Sequence, residues 1–512
     1  MRTKNSIINA AVSICSQVLV LLVTLISRRI IIVYINSSLL GYEGLFKDLL
    51  LFLSFADLGI GQAIIFNLYK AVAEDNQDEI DNLMIIYKNM YMIMCVIIFA
   101  VGLFMIPLLK YICKGTDISE TYMYAIYIVQ LLTVISTYLL AYKRVRFVAE
   151  QKEYYCIQIE TGVNILAQIF KLLVLYILQN YIFYLLVTLI QNIITNILIS
   201  YKHNKMFGKI PVKKVGLFEI KKRNLYSEMK NVTLHKVALY IYNGTDNILI
   251  SSFLGVAKVT YLTNYTMVVN QVNTIFDSLF KPITASIGDL VYRENSEQSK
   301  DVLWGLDVLF YFLATFIAIS VYVVQEPFIM LWVGEEYILP KSFLILMVIN
   351  LYIGIGHRVF AYYRNTLGNY EMDRKYMLLS AAVNLVLSIL LINKLGLTGV
   401  MLGTVVGHIC IWYGRCYCIF KEYLKCSSKK YVVRQIMQFI LFIFEFGCVA
   451  KIASYIPPSI LGMFGRVGVT LFVTLGINLL AFYKTHYIMI IKRYIKQTIG
   501  TMKNIRGKNN DT

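Results

Sequence analysis

The stretch LVTLISRRIIIVYIN, from Leu22 to Asn36, places two adjacent arginines, Arg28 and Arg29, inside an otherwise apolar run. Apolar runs of about 20 residues are long enough to cross the hydrocarbon core of a bilayer as a helix. Much of the chain has this character, since 58% of its 512 residues are hydrophobic and only 15% are charged. Soluble domains carry about 25% charged residues. The sequence therefore predicts an all-α polytopic membrane protein.

Fourteen apolar segments are predicted to be membrane spans. Positive residues are enriched in cytoplasmic loops of membrane proteins. With the N-terminus inside, and with residues at span ends counted with their loops, 34 Lys and Arg lie on the cytoplasmic side and 6 on the outer side. This asymmetry predicts an even number of spans with both termini in the cytoplasm. The approximate span bounds are 8–35, 39–69, 84–109, 120–141, 157–178, 181–201, 233–254, 259–280, 303–325, 342–363, 376–392, 397–420, 432–455 and 461–483.

The net charge of +19 arises mostly from the Lys and Arg residues of these predicted cytoplasmic loops. Basic cytoplasmic loops attract anionic lipid head groups. The charge distribution thus predicts membrane lipids as partners and no nucleic acid.

The two halves of the chain resemble each other at a spacing near 220 residues. AYKRVRFVAEQKEYY, from Ala141, matches AYYRNTLGNYEMDRKY, from Ala361, and Asn164 matches Asn384. Parallel repeats of six helices are a transporter architecture. We therefore expect two pseudo-symmetric six-helix lobes followed by two further helices. The expected domains are an N-lobe at 1–201, a basic cytoplasmic linker at 202–232, a C-lobe at 233–420, and spans 13 and 14 with a basic tail at 421–512.

Arg28 and Arg29 have two interpretations. Ionisable groups in a span are costly, and they usually face a cavity or a partner; alternatively, long basic side chains near a span end reach the head groups. Adjacent helical residues point about 100° apart, so one arginine is expected to bind a ligand while the other braces a neighbouring helix. The repeat spacing places Asp246 or Asn247 at the equivalent position.

Other polar residues extend the candidate cavity. Asp57, in FADLGIGQAI, is either a proton or cation site or a structural partner of a basic residue, and Asp246 is a second candidate for ion coupling. Arg358, in span 10, is a further candidate for substrate binding. Lys47, Lys88 and Lys171 lie nearer span ends and are expected to reach the head groups. The candidate uncharged cavity residues are Asn243, Asn247, Asn264, Asn270 and Gln271.

Enzymatic function is not expected. The predicted outer loops are short and contain no catalytic constellation, and no nucleotide-binding glycine loop is present. Neither catalytic nor metal-binding residues are predicted. No cofactor is expected either, although coupling to protons or sodium is possible.

Several segments resemble polysaccharide-biosynthesis flippases, which export O-antigen, capsule and teichoic-acid-type repeat units. They are GYEGLFKDLLLFLSFADLGIGQAIIFNLYKAVAEDN from Gly41, HKVALYIYNGTDNILISSFLG from His235, TNYTMVVNQV from Thr263 and TASIGDL from Thr284. This family belongs to the multidrug/oligosaccharidyl-lipid/polysaccharide superfamily. The resemblance implies fourteen helices in two lobes and an undecaprenyl-pyrophosphate-linked oligosaccharide as cargo. It also implies that arginines of span 1, here Arg28 or Arg29, contact the pyrophosphate.

The expected function is therefore transport of lipid-linked oligosaccharide from the inner to the outer leaflet of a bacterial cytoplasmic membrane by alternating access. Expected protein partners are a polysaccharide polymerase and glycosyltransferases. The alternative is an ion-coupled multidrug exporter of the same superfamily. Such an exporter should favour cavity carboxylates for cationic cargo, and it usually has twelve spans.

Overall fold

The computed structural model describes residues 2–34, 37–53, 60–115, 118–211, 241, 244–280, 287, 296–367 and 371–483. Their secondary structure is helical throughout. The helices of the first part are α1 Arg2–Tyr34, α2 Ser37–Leu53, α3 Ile60–Ala73, α4 Gln77–Phe104, α5 Ile106–Ile112, α6 Glu120–Tyr138, α7 Arg144–Ala149, α8 Tyr154–Leu178, α9 Tyr181–Phe207, α10 Asp246–Leu254 and α11 Val256–Phe280. The later helices are α12 Ser296–Trp332, α13 Lys341–Gly356, α14 Arg358–Leu367, α15 Arg374–Leu395, α16 Leu397–Cys418, α17 Lys429–Ala453 and α18 Ile460–Phe482.

Each of the fourteen predicted segments overlaps at least one of these helices. Ten helices in the described ranges are long and apolar enough to cross a membrane. The pair α13 and α14, bent by 41° at a short break, makes an eleventh if it is one span. The protein is therefore a multi-pass, all-helical membrane protein. The count of fourteen and the cytoplasmic position of both termini stay predictions.

The chain divides into two compact units. Unit 1 comprises Met1–Leu279 and Leu385–Val400, and unit 2 comprises Phe280–Asn384 and Met401–Thr512. The lobes predicted from the repeat, with their different bounds, stay a prediction.

The core of unit 1 forms around α2. Leu40, Leu45 and Leu50 are fully buried, and the Phe46 ring meets the Tyr127 ring of α6 edge-on at 5.2 Å. Around this core, α1 packs along α8, α8 along α9, and α4 and α9 along α6. The outer faces of α8 and α9 expose large apolar side chains such as Phe170 and Ile197, as expected for surfaces that face lipid.

Two glycines let α2 approach α11 closely. A Cβ atom on Gly41 would overlap the backbone carbonyl oxygen of Val256. A Cβ atom on Gly44, one turn later, would lie 2.8 Å from Cγ2 of Thr263. Small residues at such spacing allow membrane helices to pack at short distance. This approach brings the middle of α2 beside the polar N-terminal half of α11.

Unit 2 is organised around the long helix α12. It packs along α13, α17 and α18. The carboxylate of Asp307 on α12 is buried, and it accepts hydrogen bonds from Tyr431 at 2.8 Å and Gln435 at 3.1 Å and pairs with Arg434 at 2.9 Å. A buried charge of this kind is tolerated when it is paired and fully hydrogen-bonded.

The repeat has a structural counterpart within each unit. In unit 1, Arg144 pairs with Glu153 at 2.8 Å; in unit 2, Arg364 pairs with Asp373 at 3.7 Å. Both members of the second pair lie 220 residues after those of the first, which is the spacing of the sequence match. In each unit the pair links a short helix to the start of the helix that follows. The sequence similarity thus corresponds to similar local structure.

Substitution of Gly41 by Ala tests the approach of α2 to α11. We expect Gly41→Ala to lower the free energy of unfolding by about 1–3 kcal/mol, because the added methyl group overpacks against backbone. The control is Gly162→Ala in α8, where an added Cβ meets nothing within 4 Å. That variant should gain about 0.5–1 kcal/mol from helix propensity. Thermal unfolding of the purified full chain measures both, and equal effects would contradict the packing assignment.

Candidate functional site

Arg28 lies in a polar cluster formed by helices of unit 1. Its Nε donates a hydrogen bond to Oδ1 of Asn264 at 3.1 Å, and its Nη2 donates to Oγ1 of Thr263 at 3.1 Å. Its Nη1 lies 3.9 Å from Oε2 of Glu43 on α2. The side chain is only 13% exposed. Arg28 therefore links α1 to α2 and α11 and does not extend freely to the head-group region.

A second cation, Lys171 on α8, belongs to the same cluster. It is buried, its ammonium group lies 5.4 Å from the centre of the Tyr184 ring, and it interacts electrostatically with Glu43. Tyr181 and Tyr184 on α9 are buried and stacked, with ring centres 5.6 Å apart. The cluster, defined here as the Arg28 cluster, consists of Arg28, Glu43, Lys171, Tyr181, Tyr184, Thr263 and Asn264.

The burial of Lys171 corrects an expectation from the sequence. Lys47 and Lys88 are exposed and can reach the head groups, but Lys171 is 6% exposed. The tyrosine ring and the carboxylate of Glu43 explain the difference, because a cation inside a protein is stabilised by an aromatic face and by an opposite charge. One turn later in α8, Leu175 is fully buried, so this side of the helix faces the protein interior.

Arg29 has a different environment. Its side chain is exposed, whereas that of the adjacent Arg28 is mostly enclosed. This difference follows from the angle of about 100° between neighbouring residues of a helix. The two arginines therefore lie in different environments.

The residues predicted in span 7 are not the partners of Arg28. Asn247 donates a hydrogen bond from Nδ2 to Oδ2 of Asp48 on α2 at 2.7 Å. Asp246 begins α10 and is partly buried. Arg28 binds Glu43, Thr263 and Asn264 rather than Asp246. Asn247 thus fixes α10 to α2 next to the Arg28 cluster.

The remaining predicted residues of unit 1 differ in position. Asn270 is exposed and Gln271 is partly buried, both on α11 beyond the Arg28 cluster. Near the other end of α11, Ser278 exchanges hydrogen bonds with Gln17 of α1 at 3.0 and 3.2 Å. Side chains therefore bridge α1 and α11 at two levels. Asp57 and Asn243 lie outside the described residues.

Arg358 belongs to unit 2. It begins α14, and its Nε donates to the carbonyl oxygen of Gly354 at 3.3 Å. The preceding residue, His357, stacks on Trp412 with ring centres 4.4 Å apart, and its Nδ1 lies 3.2 Å from the Tyr431 hydroxyl. Arg358 therefore sits at the bend between α13 and α14, in a different unit from the Arg28 cluster.

The Arg28 cluster has the chemistry of an anion site. With their ordinary charges, two cations and one carboxylate leave one net positive charge. A guanidinium has five N–H donors, and the bonds to Thr263 and Asn264 use two of them. The Nη1 side, which faces Glu43, remains able to bind the oxygens of a phosphate. In the described part of the chain, no group of three or more His, Cys, Asp or Glu is arranged to hold a metal ion.

The sequence did not predict five members of the cluster as site residues: Glu43, Lys171, Tyr181, Tyr184 and Thr263. Glu43 and Gly44 lie in the segment GYEGLF that carries the family resemblance, so the motif contained the signal. Lys171 and the tyrosines carry no such signal, because aromatic residues near span ends are usual in membrane proteins.

The charge balance of the cluster can be tested by a double-mutant cycle. Glu43→Gln leaves Arg28 and Lys171 without a carboxylate. Because the Glu43 side chain is 40% exposed and partly screened by solvent, we expect the free energy of unfolding to fall by about 0.5–1 kcal/mol. Adding Lys171→Met removes one of the two cations and should restore most of the loss. The two changes are then coupled, as contacting charges are.

The control for this cycle is Glu120→Gln. Glu120 pairs with Lys110 at 3.0 Å, but both side chains are more than half exposed, so no measurable change is expected. Additive effects of Glu43→Gln and Lys171→Met on thermal unfolding would contradict the electrostatic link.

Comparison with known proteins gives the fold its context. No protein-family model matches the chain, and no curated protein matches its sequence. Among solved structures, the lipid II flippase MurJ in an inward closed conformation matches 93% of this chain and 99% of its own, at 14% identity and a TM-score of 0.69.

Multidrug transporters match over a smaller share of the chain. An inward-facing MATE family transporter of the MOP superfamily matches 82% of this chain and 99% of its own, at 14% identity and a TM-score of 0.63. A point mutant of the Vibrio cholerae MATE transporter VcmN matches 83% and 98%, at 12% identity and a TM-score of 0.56. All three matched proteins are transporters. The chain therefore shares the fold of these transporters.

Proposed function

We propose that this chain is a flippase that moves a polyprenyl-pyrophosphate-linked oligosaccharide from the inner to the outer leaflet of a bacterial cytoplasmic membrane. The observation that carries the proposal is the fold shared with a lipid II flippase over 93% of this chain. The resemblance of the segment from Gly41 to Asn76 to polysaccharide flippases supports the same cargo class. A polysaccharide polymerase and glycosyltransferases would act on the exported and the unexported lipid, respectively.

The Arg28 cluster is the proposed site for the pyrophosphate. A phosphate oxygen pair fits the fork of the guanidinium, and Lys171 supplies a second positive charge. Glu43 then acts as the internal anion that neutralises these cations before cargo arrives. Cargo displaces Glu43 from Arg28, while Thr263 and Asn264 keep the guanidinium in position. Arg29, which is exposed, is proposed to attract the head group before it docks.

Movement by alternating access completes the proposal. The polyprenyl tail stays in lipid while the head group crosses within the protein. An inside-negative membrane potential favours outward movement of an anion by about 2.3 kcal/mol per charge per 100 mV. Coupling to protons or sodium through Asp57 or Asp246 stays a hypothesis from the sequence.

The alternative is a multidrug exporter, which the MATE matches favour. Those matches cover 82–83% of this chain, whereas the lipid II flippase covers 93%. Cationic drugs also require unpaired carboxylates in the cavity, but the carboxylate of the Arg28 cluster interacts with two cations. The lipid-linked cargo is therefore the better-supported proposal.

Loss of the arginines tests the proposed function. We expect Arg28→Ala combined with Arg29→Ala to abolish export, since the pyrophosphate loses both its docking and its attracting cation. Arg28→Ala alone should have the larger single effect. The measurement is the amount of lipid-linked oligosaccharide in each leaflet of the native host, with complementation of a deletion strain. The expected result is accumulation on the inner face.

The matched control is Lys258→Ala, which removes an exposed cation at the start of α11. It should leave export unchanged. Membrane insertion of each variant is checked by quantifying the protein in isolated membranes. Near-normal surface polysaccharide in the double variant would contradict the proposal. New sensitivity of the deletion strain to cationic dyes, with normal lipid-linked sugars, would favour the multidrug alternative.

A further inference from the structure

Helix α17 in unit 2 carries a polar face that points into the protein. Its buried residues are Tyr431, Gln435, Gln438, Phe442, Glu445, Val449 and Ala453, which recur every three or four positions and so form one stripe. The opposite face exposes apolar side chains such as Ile436, Ile440 and Phe444, as expected against lipid. The polar groups therefore line the interior of unit 2.

Glu445 is the unusual member of this stripe. Its side chain is fully buried, and among the described residues neither carboxyl oxygen accepts a hydrogen bond of normal length and angle. Asn478 of α18 is a weak hydrogen-bonding neighbour. No cationic side chain in the described ranges lies within ion-pair distance of it. A carboxylate buried without partners is strongly disfavoured, whereas a neutral carboxylic acid is tolerated.

The groups around Glu445 are polar but uncharged or already paired. Asn478 of α18 lies beside the carboxyl, and Tyr311 of α12 and Tyr352 of α13 interact with it electrostatically. None of these side chains supplies a positive charge.

Charged residues on α12, α17 and α18 either interact with groups other than Glu445 or are exposed. Arg434 on α17 pairs with Asp307 of α12, and Arg466 on α18 donates to the carbonyl oxygens of Val323 and Ile456. Glu326 of α12 lies near Tyr322, and Lys451 near the end of α17 is exposed. The neutral acid is therefore the form of Glu445 that suits this environment.

Other polar atoms lead towards Glu445 along α17. Gln438, two turns before it, is 2% exposed, and in the described part of the chain neither its amide oxygen nor its amide nitrogen has a partner. Gln435, one turn earlier, joins the buried Asp307 group. Buried polar atoms without protein partners are typically bridged by water. This stripe begins at the end of α17 that the sequence predicts on the cytoplasmic side.

We propose that Glu445 is a proton-binding site inside the membrane, reached from one side along the polar stripe of α17. In the conformation described here, its carboxyl carries a proton. On release, the O–H bond of the acid breaks, the proton passes to a water molecule in the stripe, and the bonding electrons stay on the carboxylate. Gln438, two turns away and beyond Phe442, provides the next polar site along the stripe. The proposal goes beyond the cargo site, which lies in unit 1.

Infrared spectroscopy of the full chain in lipid nanodiscs tests the site without any cargo. A protonated carboxyl has a C=O stretching band separate from the amide bands, and this band shifts in D₂O when the proton exchanges. At neutral pH we expect the band in the wild type, a shift in D₂O, and a band of lower intensity in Glu445→Gln, because this variant lacks the Glu445 carboxyl. Glu445→Asp should retain a protonated carboxyl band. Gln438→Leu should keep the band but slow its deuterium shift severalfold.

The controls separate the site from a purely structural role. Asp307→Asn, at a carboxylate that is ion-paired, should leave the band in place. Monodispersity and thermal unfolding establish that each variant is folded. An unchanged band intensity in Glu445→Gln, or a band that does not shift in D₂O, would overturn the proposal. So would loss of the band in sodium chloride but not in choline chloride, because Glu445 would then bind sodium.

A role in coupling rests on the proposed function and is tested separately. In proteoliposomes with a fluorescent polyprenyl-pyrophosphate probe, an imposed pH gradient should accelerate flipping by the wild type. Glu445→Gln should flip the probe at a rate independent of the gradient. Equal acceleration in both would exclude Glu445 from coupling. No flipping by the wild type would contradict the proposed function, while the infrared result would still stand.

Discussion

The placement of Arg28 depends on how closely two helices approach. A guanidinium inside a membrane protein is stable only when its donors find partners, and here those partners come from α2 and α11. Gly41 and Gly44 allow α2 to lie against the start of α11, and the same turn of α2 carries Glu43. A larger residue at Gly44 would press against Thr263, a partner of Arg28, and one at Gly41 would press against the backbone of Val256 in the same helix. The Arg28 cluster can therefore form only if α2 and α11 pack closely.

Much of the helical architecture can be predicted from the sequence, because an apolar run of sufficient length has few alternatives in a bilayer. Each predicted segment overlaps a helix, and the match at 220 residues corresponds to the Arg144–Glu153 and Arg364–Asp373 pairs. Partners of buried charges are harder to predict. Lys171 looks like a snorkelling residue in sequence, because its partner carboxylate, Glu43, comes from α2, and no local pattern marks α2 as a neighbour of α8.

Glu445 shows the same difficulty in predicting the partner of a buried charge, here for an acidic residue. A glutamate within the apolar run FILFIFEFGCVA would be expected to pair with a basic residue, and Arg434 lies on the same helix. The structure assigns Arg434 to Asp307 instead, because the Asp307 carboxylate also receives Tyr431 and Gln435. Which acid receives a cation is decided by the whole set of hydrogen bonds around it. Sequence spacing alone does not contain this information.

The two units thus stabilise buried ionisable groups in different ways. In unit 1, Arg28 and Lys171 share one carboxylate, so a net positive charge remains that an anion can neutralise. In unit 2, Asp307 and Asp373 are paired with arginines, and Glu445, without such a partner, suits the neutral form. A residual charge favours binding of a counter-ion, whereas an unpaired acid favours binding of a proton. The proposed cargo site and the proposed Glu445 proton site therefore belong to separate units of the protein.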